Sequence, residues 1–295
     1  MQIVEFIAEV SSNHNRDINR MKEFVHASKE AGCSGVKFQL FKVNKLFSPE
    51  ILLASEIHRD RKAWELDVEN IPELANLAQS LGLSFSCTPF YIEAVNELKG
   101  YVDFYKIASY EILWNQLFEA CGNSGKPVVF STGMAKVGEV KNALNWLLKT
   151  KTRSITILHC NSAYPTPVED SNLAGINVLK NIINSCENIN NVDIKIGYSD
   201  HTVSPAVIYR AIHKYNANFI EFHIDLDGTG NEFESGHCWL PEEISKVIET
   251  VKLGFISDGS GLFEPSPSEI KDREWRSDPI DGLRPLKHIR KSFNG

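Results

Sequence analysis

A closed (β/α)8 TIM barrel with an irregular C-terminal tail is the fold this sequence predicts. Three observations carry the expectation. Strand-like and helix-like segments alternate from end to end, eight strand-like runs can be counted, and polar, metal-capable side chains stand where those runs end. A length of 295 residues is near the usual size of one such barrel. The expected division is a catalytic barrel over 1–256 and a tail over 257–295 packed on it.

Taken in order, the strand-like runs are 2–10, 34–39, 83–87, 104–108, 127–131, 154–159, 194–198 and 218–223. Each is short, apolar and rich in β-branched or aromatic residues, as buried parallel strands are. Between them lie amphipathic segments at 18–31, 71–81, 91–98, 115–123, 137–148, 172–185 and 204–215. A last one, 241–255, opens with Pro241 followed by Glu242 and Glu243, a sound helix start. Gly32, Gly82 and Gly125 follow three of these segments, as helix C-caps do. Strict alternation implies parallel strands, and eight of them favour a closed barrel. An open doubly wound sheet is the alternative, but no Gly-x-Gly-x-x-Gly turn and no phosphate loop ending in Gly-Lys-Ser/Thr is found.

The bulk numbers exclude some functions. A net charge of −7, with 23% charged residues, argues against a nucleic-acid footprint. No secretory signal and no apolar run of membrane-spanning length is visible. The six cysteines are scattered without close pairs, which suits reduced thiols. A soluble cytoplasmic protein, with neither nucleic-acid nor membrane partner, is the expectation.

Two histidines are the most informative residues. His201 ends Tyr198-Ser199-Asp200-His201 and His223 ends Glu221-Phe222-His223, at the C-terminal ends of neighbouring runs. Two neutral imidazoles so placed can share a divalent ion and make it a Lewis acid; the plainer alternative is a hydrogen bond from each to a loop. Side chains alternate along a strand, so Lys37 shares a face with Gln39, and Lys106 with Phe104. Lysines inside Gly-Val-Lys-Phe-Gln-Leu and Phe-Tyr-Lys-Ile-Ala-Ser fit poorly with snorkelling to solvent and point to a buried anion site. Glu9, Thr88, Ser109, Glu111, Ser131 and Tyr164 recur after successive strands. Together they describe a pocket for a phosphorylated anion beside a polarised carbonyl.

The motifs Ala8-Glu9 with Asn13-His14, Val36-Lys37-Phe38-Gln39, Ser86 to Phe90, Tyr105 to Ser109, Ser131 to Met134, His159-Cys160 with Tyr164-Pro165, Gly197 to His201 and Glu221 to His223 closely resemble those of the sialic acid synthase family. Order and spacing hold over roughly residues 3–255. The resemblance implies condensation of phosphoenolpyruvate with an aldose, N-acetylmannosamine or a related amino sugar, giving a nonulosonic 2-keto-3-deoxy acid and phosphate. It further implies that Lys37, Thr88, Lys106, Ser109, Ser131 and Ser199 hold phosphoenolpyruvate. Gln39, Phe90, Glu111 and Tyr164 then line the sugar side, and Glu9 is the acid near the reacting carbons. His201 and His223 would hold a divalent ion, manganese by preference, with magnesium and cobalt as alternatives. A homo-oligomer, a dimer, is expected on the same ground. A metal-dependent sugar aldolase or isomerase, or a non-catalytic barrel subunit, are the rival readings.

Three departures touch the sugar half. The chain ends too early for the antifreeze-like domain that gives an arginine to the partner's sugar site. Ser162 stands where some members have asparagine before the tyrosine. The Gly-Pro-Asp stretch after the eighth strand is replaced by residues 228–238, where Glu234, by ungapped count from His223, is expected to stand in for the aspartate, with Glu232 nearly as good. His237-Cys238 reads as ordinary loop packing rather than metal ligation. Material free to close the sugar site is 43–70, 227–239 and the tail, whose Arg273, Arg276 and Arg284 read first as surface ion pairs and second as substitutes for the missing arginine.

Overall fold

The computed structural model describes residues 4–186 and 191–293. Residues 2 and 3 of the expected first strand and the last two of the expected tail lie outside the described residues. Eight parallel strands run in chain order: β1 (Glu5–Glu9), β2 (Gly35–Leu40), β3 (Ser84–Pro89), β4 (Phe104–Ile107), β5 (Val128–Ser131), β6 (Ser154–Cys160), β7 (Asp193–Asp200) and β8 (Phe219–Ile224). β8 pairs back onto β1, which closes the barrel. The register sets Glu9 level with both Lys37 and His223, and Ser199 level with both Cys160 and Glu221. A ninth strand escaped the sequence reading: β9 (Cys238–Trp239) pairs in parallel with β8. Two residues carry no readable periodicity.

Helices cover the strands on the outside. Ile18–Glu30 starts at Asp17, whose carboxylate accepts the backbone N–H of Asn19 at 2.8 Å, and it turns Met21, Phe24, Val25 and Ser28 inward. Ile71–Ser80 buries Ile71, Leu74, Ala75 and Ala78; Val137–Leu148 buries Val140, Ala143, Leu144 and Leu147. Spacings of three and four put each set on one face. Gly32, Gly82 and Gly125 hold positive φ just past helix ends, where a side chain would be strained. No helix among the described residues is long and apolar enough to cross a membrane. The cysteines are free.

By its contacts the chain forms two compact units, Met1–Lys252 and Leu253–Gly295. The second is held internally by Arg290 paired with Asp281 at 2.6 Å and by Asp278, whose carboxylate accepts the N–H groups of Ile280 and Lys287. Arg276 there donates Nε to the carbonyl of Arg273.

Closure leaves little room between strands. A Cβ at Gly197 would collide with the backbone carbonyl of Phe219 and come within 2.9 Å of its Cβ, whereas a Cβ at Gly138, exposed on the helix Val137–Leu148, would meet nothing. Gly197→Ala should therefore cost about 1–3 kcal/mol, while Gly138→Ala should be neutral or gain about 0.5 kcal/mol. Chemical denaturation midpoints of the two variants check the contrast.

Candidate active site

The barrel changes character within one pleat. Ile7, Phe104, Val129, Leu158 and Phe219 pack together as an apolar floor. Two residues further along each of those strands, on the same face, stand Glu9, Lys106, Ser131, Cys160 and Glu221. The C-terminal rim thus opens into a cavity of about 740 Å³ whose walls include Glu9, Lys37, Lys106, Ser131, Ser199 and Glu221.

Charges in this layer are buried in opposite pairs. Lys37 and Lys106 are each 2% exposed. Lys37 pairs with Glu9 and donates to Thr88 Oγ1 at 3.0 Å. Lys106 lies 3.5 Å from Glu221 and donates to the Ile107 carbonyl, while Ser199 donates to Glu221 at 3.4 Å. Burial works against the charge on Glu221, but Lys106 and Lys37 overcome it and hold the carboxyl below the usual carboxylate range. Burial pushes Lys37 down to about 8 against the pull of Glu221, and pushes Glu111 up to about 7. Glu111 Oε2, Ser131 Oγ and Glu221 Oε2 are buried without a hydrogen-bond partner. Unpaired polar atoms facing one cavity mark a place where a ligand completes the pairing.

Beside the lysines lies a histidine cluster. His201 Nδ1 donates to the Asn161 carbonyl at 2.7 Å, since a carbonyl can only accept, so in the neutral ring it is Nε2 that carries the free lone pair. The ring of His223 stands 5.2 Å from that of His201 and 4.7 Å from that of His237, and Tyr164 stacks 4.2 Å from His201. Burial lowers His223 to about 4, so the ring is neutral. Glu232 Oε2 is 3.2 Å from His223 Nδ1. Burial opposes its charge, yet His223, the neighbouring His237 and Ser11 hold the Glu232 carboxyl well below the carboxylate range. Donor atoms of His223, Glu232, His237 and Cys238 all lie within 4.8 Å of one another.

Most of the expected residues meet in this one cavity: Glu9, Lys37, Gln39, Thr88, Phe90, Lys106, Ser109, Glu111, Ser131, Tyr164, Ser199, His201 and His223 line it. Two do not. Glu234 is exposed in the turn Phe233–Ser235 and is not among the lining residues; Glu232 takes the place expected of it. The physical reason is a clamp that ungapped counting cannot see. Asn13 Oδ1 accepts the N–H of Glu232 and its amide donates to the Ile224 carbonyl, while Asp225 accepts the N–H groups of Gly228 and Gly230. That clamp sets which acid of 228–238 faces inward. Ser162, the second exception, is not among the lining residues; its buried Oγ and that of Ser109 crowd the position a Cβ at Gly133 would occupy.

Two contributions were named in the sequence, one as loop packing and one as closing material, without their place in the site. His237 faces the histidine cluster because β9 pairs with β8. The segment between β2 and β3 brings Leu46, Phe47, His58, Arg61 and Trp64 to the cavity through a series of short helical turns. Its Arg61 guanidinium lies 5.7 Å from the Phe47 ring and 5.2 Å from the Trp64 ring, with Nε buried and unpartnered. The available signal was length, since a connection this long in a compact barrel is usually functional.

Comparison with known proteins agrees with this geometry. Residues 24–262 match the model of the NeuB family. The chain is 31% identical over 282 residues to the N,N'-diacetyllegionaminic acid synthase of Campylobacter jejuni, covering 90% of this chain and 80% of the relative. It is 29% identical to the pseudaminic acid synthase of Helicobacter pylori, over 93% and 81% of the two chains. The solved N-acetylneuraminic acid (sialic acid) synthetase of Leptospira borgpetersenii superposes with a TM-score of 0.77 at 30% identity, over 93% of this chain and 91% of that one. A polar barrel mouth of this make-up and a family match across most of the barrel agree: the chain belongs to the NeuB family, among the sialic acid synthases and their relatives.

Proposed function

We propose that the chain condenses phosphoenolpyruvate with an amino-sugar aldose of the N-acetylmannosamine kind, in a metal-dependent reaction that yields a nonulosonic 2-keto-3-deoxy acid and inorganic phosphate. The observation that carries the reading is the pair of buried lysines at the barrel mouth, in one cavity with the histidine cluster. In this reading Lys37 and Lys106 hold the carboxylate and phosphate of the donor, and Thr88, Ser109, Ser131 and Ser199 add neutral hydrogen bonds. The unpartnered Ser131 Oγ supports that role. Gln39, Phe90, Glu111 and Tyr164 line the acceptor side.

The donor set at His201 and His223 fits a divalent ion: both rings are buried, and the His201 Nε2 lone pair is left free. An ion held there, manganese by preference, supplies Lewis-acid polarisation of the acceptor's aldehyde oxygen. The chain's residues do the remainder. Held beside the acceptor, the enol carbon of the donor bonds to the aldehyde carbon and leaves carbon 2 electron-deficient. Glu9 stabilises that centre by its charge and takes the proton from the water that adds there. The aldehyde oxygen, which received the carbonyl electron pair, takes up the proton that Glu9 removed from water. The bond from carbon 2 to the phosphate oxygen then breaks as the carbon-2 hydroxyl gives up its proton to the departing phosphate, giving the keto acid and phosphate.

The acceptor end has its own cation. Arg61, flanked by Phe47 and Trp64, is the residue we assign to the far end of the sugar, the task for which the tail arginines were the sequence-based candidates.

Phosphate release should require both phosphoenolpyruvate and an N-acetylated aldose, stop on chelation and return with manganese; release without the enol donor would favour an aldolase or isomerase. Lys106→Met should raise the apparent KM for phosphoenolpyruvate about ten- to hundredfold, the loss of one charge-assisted contact worth about 1.5–3 kcal/mol. A wild-type KM in steady-state kinetics would refute the anion site. Arg61→Ala should raise the acceptor's KM about tenfold or more and leave that of phosphoenolpyruvate unmoved, which the same kinetics read separately.

A further inference from the structure

We infer that His237 and Glu232 join His223 as protein ligands of the ion, and that the site therefore takes a borderline divalent transition ion in preference to magnesium. The inference rests on the metal-dependent reading above and names more of its ligand sphere. Its starting point is His237, which is 3% exposed and has neither ring nitrogen in a hydrogen bond. Leaving buried polar atoms unpaired costs about 1–3 kcal/mol each, a cost that a bound ligand removes.

The neighbours say which ligand. Glu232 Oε2 stands 3.2 Å from His223 Nδ1 and 3.6 Å from His237 Nε2. Donors about 2.0–2.2 Å from a common ion stand about 3.0–3.6 Å apart in tetrahedral or octahedral geometry, so these are the spacings of adjacent ligands. The rings agree. A ring centre lies about 3.2 Å from an ion bound through its nitrogen, so imidazoles 90–110° apart have centres about 4.5–5.3 Å apart. His223 is 4.7 Å from His237 and 5.2 Å from His201. An anionic guest would meet the Glu232 carboxylate; a cation is drawn to it. Imidazole and carboxylate donors suit manganese, iron, cobalt or zinc, whereas magnesium keeps an all-oxygen shell.

The arrangement is held in place from outside. Asn13 accepts the N–H of Glu232, and pairing of His223 with Cys238 across β8 and β9 fixes the neighbouring His237.

The test uses the full chain, stripped with a chelator and titrated with Co²⁺ alone, read by visible absorption and calorimetry. Wild type should take up one equivalent, with its thermal midpoint raised. His237→Gln and Glu232→Gln should each weaken Co²⁺ at least about tenfold and lose that rise, while their ion-free circular dichroism matches wild type. A hundredfold excess of Mg²⁺ should leave the Co²⁺ band in place. If both variants bind as wild type does, or Mg²⁺ displaces the band, the inference is overturned and the metal-dependent reading stands. A wild-type chain that takes up no ion overturns both. Should the ion-free His237→Gln chain be misfolded, Glu232→Gln alone decides by the same criterion.

Discussion

The burial of two lysines opposite two carboxylates in a single layer of the barrel is the constraint on which the rest of this molecule depends. Each buried ion costs several kcal/mol in lost hydration, and only a partner at close range offsets it. Here Lys37 has Glu9 and Lys106 has Glu221, all four within the charged layer one pleat above the apolar floor. Pairing of β1 with β2 sets Glu9 level with Lys37, and closure of β8 onto β1 sets it level with His223 as well. An open sheet would keep Glu9 beside Lys37 on the neighbouring strand but would separate Glu221 from Lys106, four strands away, and leave that lysine unpaired. Fold closure and charge burial are therefore one constraint viewed from two sides.

This layer is satisfied as a set of charges but not as a set of hydrogen bonds. Glu221 Oε2, Ser131 Oγ and Glu111 Oε2 have no partner, and they face the same cavity. A structure selected for stability alone would close those positions with apolar side chains. Their retention at the C-terminal rim, where barrel enzymes keep their chemistry, is the physical mark of a site that a polar ligand completes. The low pleats carry stability and the high pleats carry function, and the boundary between them is two residues thick.

The loop after β8 shows how position is set where no regular element sets it. Asn13 donates to the Ile224 carbonyl and accepts from Glu232, Asp225 gathers the N–H groups of Gly228 and Gly230, and Arg20 pairs with Asp225 at 2.8 Å. The contacts of Asn13 and Arg20 join residues some two hundred positions apart in the chain, while those of Asp225 with the two glycines are local. They carry Glu232 and His237 into the histidine cluster and turn Glu234 to solvent. Elsewhere on the rim the segment between β2 and β3 plays a similar part, bringing Arg61 and its aromatic neighbours to the cavity.

What the sequence determined by itself follows from short-range rules. Period-two and period-four patterning located the eight strands and their helices, and parity along each strand put Lys37 with Gln39 and Phe219 with Glu221 and His223, because backbone geometry alone fixes which side chains share a face. Glycines at helix ends and Pro241 at a helix start were legible for the same reason. Only the tertiary structure decided which acid of the last loop faces inward, that His237 stands beside His201 and His223, that Ser162 is left out of the cavity lining, and that Arg61 reaches the cavity. The first two depend on pairings such as Asn13 with Glu232 and His223 with Cys238, the other two on how loops pack at the rim, and counting along a sequence has no access to a contact that exists only once the chain has folded.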